Sequence, residues 1–309
     1  MVIPPESLPL AALSGACFAL IGVAYRYGED HDTQPHHILL VCAIVGAGLF
    51  GAMSLDQWDS APSRMWLWGL GAGLSQYALV KLLGVGLRMG PLSPLWCALM
   101  LAFVPVILFA AVAHGEPLGR MDLLAVLAAG ACVVTGSFKK QVEVSQAARG
   151  PAGARRWLYG LVLLGAMLLN SVANVAMKVL NHGDEAGGSN VALYGNVFRA
   201  SLYAGLGLAI VSEMLLRRRF GAPLGWTLGL GTVAACGSVA GLWALSVAAA
   251  GPAAMVFPLS NAVSIVVASV ASVTLFPEKA DRIWLATVGL GVLAAALATW
   301  PALAWMLGG

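Results

Sequence analysis

Charge is what this chain has least of. Asp, Glu, Lys and Arg make up 10% of its 309 residues, against 60% hydrophobic residues. A soluble domain carries about 25% charged residues, so a water-soluble fold is excluded for want of polar surface. Paired cysteines are missing too. Cys17, Cys42, Cys97, Cys132 and Cys236 each stand alone inside apolar segments, and none forms a Cys-x-x-Cys pair. That leaves no disulfide framework or cysteine metal cluster, and the five are expected to be small core residues. No Lys or Arg precedes Arg26, and Glu6 stands ahead of the first apolar segment. A cleaved signal peptide needs a basic lead, so this segment is expected to stay as a span. There is no Gly-rich phosphate loop, nucleophile–base pair or clustered set of metal ligands, so neither catalysis nor a cofactor is expected. A net charge of +3 is too small to attract nucleic acid.

What is present is a series of apolar runs. Ten spans are predicted, over 8–26, 36–54, 65–88, 92–113, 121–138, 157–181, 191–215, 225–249, 253–275 and 282–305. Each has about the 20 residues a membrane-crossing helix needs. The longest polar stretch, 139–156, holds Lys139, Lys140, Arg149, Arg155 and Arg156 around a Gly150-Pro151-Ala152-Gly153 turn. It divides the chain into a first five-helix unit (1–140), a basic linker (141–156) and a second five-helix unit (157–309). Five is odd, so the second unit enters the membrane from the opposite side. The expected fold is an all-α polytopic membrane protein with ten transmembrane helices in two inverted five-helix repeats. Twelve Lys and Arg flank the ends of spans 1, 3, 5, 7 and 9, and two, Arg64 and Arg120, lie on the other side. This bias places the linker in the cytoplasm and both termini outside.

The interior of the spans carries a few polar side chains. Asn170, Asn174 and Lys178 recur every fourth residue on one face of span 6. They are expected to face a cavity or partner helices, since lipid offers them no partners. The asparagines can equally hold the bundle together, and Lys178, near the end of its span, can snorkel. Span 3 carries Tyr77, Lys81, Gly84 and Arg88 on one stripe with Gln76 beside it. No Asp or Glu lies in the interior of a span, and Glu213, four residues before the Arg217–Arg219 run, reads as interfacial. Lys81 is therefore expected to lack a fixed counter-ion, which suits a transient anionic partner; backbone carbonyls freed at a helix break are the other reading. Arg199, near Asn196, either reaches a cavity or braces a neighbouring helix. Pro94 and Pro105 in span 4 and Pro258 in span 9 are expected to interrupt those helices, with Asn261, Ser264 and Ser272 along one side of span 9. Trp96 and Trp243 are candidate cavity walls; Trp96, four residues into its span, also fits an interfacial anchor. His36-His37 sits at a span edge and is expected at the interface. Glycines four apart (Gly69 and Gly73, Gly86 and Gly90, Gly225 and Gly229, Gly237 and Gly241) let helices approach closely. The candidate substrate-binding set is Gln76, Tyr77, Lys81, Asn170, Asn174, Arg199, Trp243, Asn261 and Ser264.

The two halves end alike. Gly90-Pro91 leads to His114-Gly115-Glu116-Pro117, and Gly251-Pro252 leads to Phe276-Pro277-Glu278-Lys279, with offsets of 161 and 162 residues. In this the chain resembles the drug/metabolite transporter superfamily, specifically its ten-helix EamA-type members, over nearly its whole length. The resemblance implies a basket of two inverted five-helix units with a central cavity lined by spans 1, 3, 4, 6, 8 and 9. Ten-helix relatives commonly keep both termini in the cytoplasm, whereas the charge count here places them outside. The small multidrug resistance branch exchanges protons for cations through a glutamate in its first helix. Span 1 has no acid, which argues against that chemistry.

These readings converge on a non-enzymatic secondary transporter in a bacterial inner membrane. It is expected to move a small anionic or zwitterionic metabolite, an amino acid or organic acid, by alternating access. A carrier of phosphorylated, nucleotide-linked or lipid-linked sugars is the transporter alternative, and a membrane enzyme or scaffold the alternative of another class. The expected partners are a small-molecule substrate and the lipid bilayer, with no nucleic acid, in a monomer or homodimer.

Overall fold

The computed structural model describes residues 7–31, 33, 35–115, 118–138, 152–182, 190–217, 224–248, 253–276 and 279–308. Its α-helices are α1 (Ser7–Asp30), α2 (Pro35–Ala52), α3 (Ser63–Met89), α4 (Leu92–Met100), α5 (Phe103–His114), α6 (Arg120–Ser137), α7 (Ala152–His182), α8 (Asn190–Arg217), α9 (Leu224–Ala248), α10 (Ala253–Thr274) and α11 (Arg282–Gly308). No strand occurs among the described residues. Ten helical segments are long and apolar enough to cross a membrane, and α4 and α5 together make the fourth of them. The chain is an all-α polytopic membrane protein. Helix α7 starts at Ala152, so the last five residues of the expected linker are helical. The rest of that linker lies outside the described residues, as do Glu116-Pro117, Gly251-Pro252 and Pro277-Glu278.

Helix ends follow local chemistry. Gly115 closes α5 at φ 65°, a left-handed conformation that glycine adopts without a Cβ penalty. Asp122 accepts the Gly119 N–H at 3.0 Å at the start of α6, and Asp281 accepts the Trp284 N–H at 2.8 Å at the start of α11. Each half thus opens its fifth span with a capping aspartate.

Span 4 is broken, for a reason visible in the sequence. Pro105 has no N–H to give to the Leu101 carbonyl, and its ring crowds that oxygen. The chain turns at Leu101–Ala102 instead. The Leu101 N–H reaches Cys97 O at 3.1 Å and Ala98 O at 3.2 Å, and the Ala102 N–H reaches Leu99 O at 3.3 Å. The other two prolines correct the expectation. Pro94 is the third residue of α4, in the first turn, where its missing N–H has no intrahelical partner to lose. Pro258 lies inside an α10 that stays helical throughout.

Helix α1 lies against α9 and α10, α3 against α7 and α8, α2 against α8 and α9, and α6 against α11. Advancing each span by five turns α1–α9 into α7–α3 and α3–α8 into α9–α2. It turns α1–α10 into the contact of α7 with α4 and α5. The pairs α2–α8 and α6–α11 map onto themselves. Small residues set the closest crossings, as they must where lipid competes for apolar contact. A methyl group at Gly73 would collide with the Leu202 carbonyl of α8, and one at Gly237 would lie 2.5 Å from the Cys17 carbonyl oxygen of α1. Gly225 and Gly229 face open space, so that pair packs nothing. All nine residues of α4 are buried, which makes this short helix the centre of the bundle. Cys42, Cys97 and Cys132 are core residues as expected, whereas Cys236 is exposed.

Candidate functional site

Two polar clusters branch from neighbouring residues of α3. Gln76 turns toward α7 and donates from Nε2 to Asn170 Oδ1 at 3.3 Å. Asn170 donates in turn from Nδ2 to the Leu99 carbonyl at 2.9 Å, one turn ahead of the break in span 4. The break leaves that carbonyl the Leu101 N–H and a long contact from the Ala102 N–H in place of a regular helical bond, and Asn170 adds a side-chain donor. Ser75 bonds the Leu169 carbonyl at 2.7 Å beside it. The first cluster therefore ties α3, α7 and α4 together at the helix break. Asn174, one turn further along α7, is half-buried and has no hydrogen bond to a described residue. The side chain of Lys178 lies outside the described residues.

Tyr77 turns the other way, toward α8, and here the structure corrects the expectation for Lys81. Its ammonium forms an ion pair with Glu213 Oε2. The same carboxylate oxygen accepts the Tyr77 hydroxyl at 2.6 Å, and Oε1 accepts Arg217 Nε at 3.1 Å. Lys81 Nζ also lies 5.4 Å from the centre of the Tyr77 ring. Lys81 thus has a fixed counter-ion, because the crossing of α3 and α8 brings the stripe Tyr77–Lys81 onto the last turn of α8. Three donors from two helices converge on one carboxylate, and two cations surround one anion. His36 on α2 lies within electrostatic reach of Lys81, Glu213 and Arg217, and its ring centre lies 4.1 Å from that of His37, the two rings tilted by 42°. His37, expected at the interface, is only 7% exposed, and neither ring nitrogen has a partner among the described residues.

Arg199 lies on α8 fourteen residues before Glu213, about 21 Å away by helix rise. Its Nη1 donates to Asn196 Oδ1 at 3.0 Å and its guanidinium lies 5.6 Å from the centre of the Phe50 ring on α2. It braces a neighbouring helix, and no carboxylate among the described residues pairs with it. The remaining candidates lie elsewhere. Ser264 is buried and accepts Trp96 Nε1 at 3.0 Å, and Ser272 donates to Ser93 Oγ at 3.2 Å, so these serines stitch α10 to α4. Trp96, at 2% exposure, is a core residue packed over Gly22 of α1, not an interfacial anchor. Trp243 is 53% exposed and Asn261 half-buried.

Of the nine candidates, Gln76 meets Asn170 and Tyr77 meets Lys81. The residue that sequence reasoning missed is Glu213. A signal existed: spans 3 and 7 end on the same side of the membrane by the Lys and Arg count. Lys81 stands eight residues before the end of α3 and Glu213 four before the end of α8. The long lysine stem covers the difference of about one turn, roughly 6 Å.

No family model and no curated protein matches the chain. Twelve chains of known structure match. One of them, described only as "Crystal structure of protein", aligns over 96% of this chain and 98% of its own, with 19% identity and a TM-score of 0.58. At that identity the likeness concerns the fold.

Proposed function

We propose that this protein is a secondary transporter that moves a small anionic or zwitterionic metabolite by alternating access. It is built as two inverted five-helix repeats and resides in a bacterial inner membrane. The observation that carries the reading is the charge inside the spans. Lys81 pairs with Glu213, which Arg217 also reaches from the end of α8, whereas Arg199, about 21 Å away by helix rise, pairs with no described carboxylate and is held by Asn196 and the Phe50 face. Ionisable side chains at membrane depth are costly and mark substrate or ion paths. An excess of cations there favours a solute that brings an anionic group. The exchange of contacts under a shift of five spans supports the inverted repeat, as does the resemblance of the two half-chain motifs to EamA-type transporters.

The test is a thermal-shift screen of the purified protein against amino acids, organic acids, sugar phosphates, nucleotide-linked sugars and lipophilic cations. A ligand raises the melting temperature by mass action once its concentration exceeds its dissociation constant. The reading expects a carboxylate-bearing solute to raise it, and expects Arg199→Leu to abolish that rise. Stabilisation by sugar phosphates or nucleotide-linked sugars alone would move the assignment to a sugar carrier. Stabilisation by lipophilic cations alone would overturn it.

A further inference from the structure

The geometry points to a one-sided electrostatic latch: the Lys81–Glu213 pair locks α3 to α8 at one mouth of the bundle, while the positions that match this pair at the other mouth are uncharged. This rests on the alternating-access reading above and adds to it which residues hold which gate.

The repeat makes the comparison possible. The offset of 161 residues takes α3 onto α9 and takes α8 back onto α2, and α9 packs on α2 as α3 packs on α8. It takes Lys81 to Leu242 and Glu213 back to Ala52. Leu242 packs into the apolar cluster that contains Phe50 and Tyr203, at the far end of α2. One mouth therefore carries an ammonium, two carboxylate oxygens, a tyrosine hydroxyl and a guanidinium at the crossing; the matching positions hold Leu242 for Lys81, Ala52 for Glu213, Ser238 for Tyr77 and Asp56 for Arg217, so the ammonium and the carboxylate have no counterpart.

The two kinds of closure respond differently to perturbation. An ion pair between helices at membrane depth is directional, and its two groups must be solvated or re-paired when the helices part. An apolar contact re-forms against lipid tails with little penalty. Removing the charges should bias the resting population away from closure at the Lys81 mouth. In a two-state carrier the opposite mouth must then close more of the time.

Hydrogen exchange on the full chain in lipid nanodiscs reads both mouths without a known substrate. The segments are 82–89 and 210–217 at the latch, and 46–52 and 239–245 at the other end. In Glu213→Gln, exchange at the latch should rise about tenfold while exchange at the other end falls. The charge-swapped double variant Lys81→Glu with Glu213→Lys should return both segments toward wild type. Building a second pair with Ala52→Glu and Leu242→Lys should slow exchange at 46–52 and raise it at 210–217. A rise at the latch with no fall at the far mouth would make the pair a static brace and overturn the proposal, as would unchanged exchange at both. These outcomes are independent of the ligand screen. A failed screen with reciprocal exchange intact sinks the metabolite assignment, and a successful screen without reciprocity sinks the latch.

Discussion

Glu213→Gln tests the energetics of the charged cluster most sharply. The substitution keeps the side-chain shape and removes the anion on which Lys81, Tyr77 and Arg217 converge. Two unit charges about 4 Å apart attract by about 4 kcal/mol at an effective dielectric of about 20. Solvent reduces this, because the Lys81 side chain is 35% exposed and that of Glu213 15%. Exposed pairs contribute about 0.2–1 kcal/mol, and breaking a buried pair costs about 3–5 kcal/mol. This pair sits between them, so Glu213→Gln should destabilise by about 2–3 kcal/mol. Lys81→Met should be milder, about 1 kcal/mol, since Glu213 keeps Tyr77 and Arg217. The double variant should lose less than the sum, with a coupling of about 1–2 kcal/mol. Reversible unfolding in bicelles, with all four proteins of the cycle, measures this. Equal losses for the two single variants, additive within about 0.5 kcal/mol, would refute the account of Glu213 as the shared acceptor.

Other consequences follow from the packing and the helix break. Gly73→Leu should destabilise by about 1–3 kcal/mol through overpacking against the Leu202 carbonyl, while Gly225→Ala, which meets open space, should leave the thermal midpoint unchanged. Asn170→Leu takes the side-chain donor from the Leu99 carbonyl and the acceptor from Gln76 Nε2 and should lower stability by about 1–3 kcal/mol in the same unfolding assay. A reporter fused after Gly309 should be active as a periplasmic phosphatase, because the Lys and Arg bias places the C-terminus outside.

The sequence was most legible where one physical quantity decides the outcome. Length and apolarity alone place a helix across a membrane, and all ten expected spans coincide with helical segments of the structure. The proline rule was right at Pro105, deep in a span, and wrong at Pro94, because a first-turn residue has no bond to lose. The site was harder. Gln76 and Tyr77 are adjacent in sequence yet serve different helices, because a step of about 100° around α3 separates their directions. The partner of Lys81 depends on how α3 and α8 are rotated about their axes, and a single helix pattern carries no such information. Trp96 and Ser264 looked like an anchor and a cavity residue. Their mutual hydrogen bond arises from the crossing of α4 and α10, 168 residues apart.

The central claim is carriage by alternating access, and counterflow in proteoliposomes addresses it directly. Vesicles preloaded with an unlabelled solute that stabilises the protein are diluted into a trace of the same solute carrying a label. A carrier exchanges one for the other, so label should accumulate transiently above its equilibrium level, and Arg199→Leu should abolish the overshoot. Label that enters without overshoot, emerges chemically altered, or enters no faster than into protein-free vesicles would contradict the account.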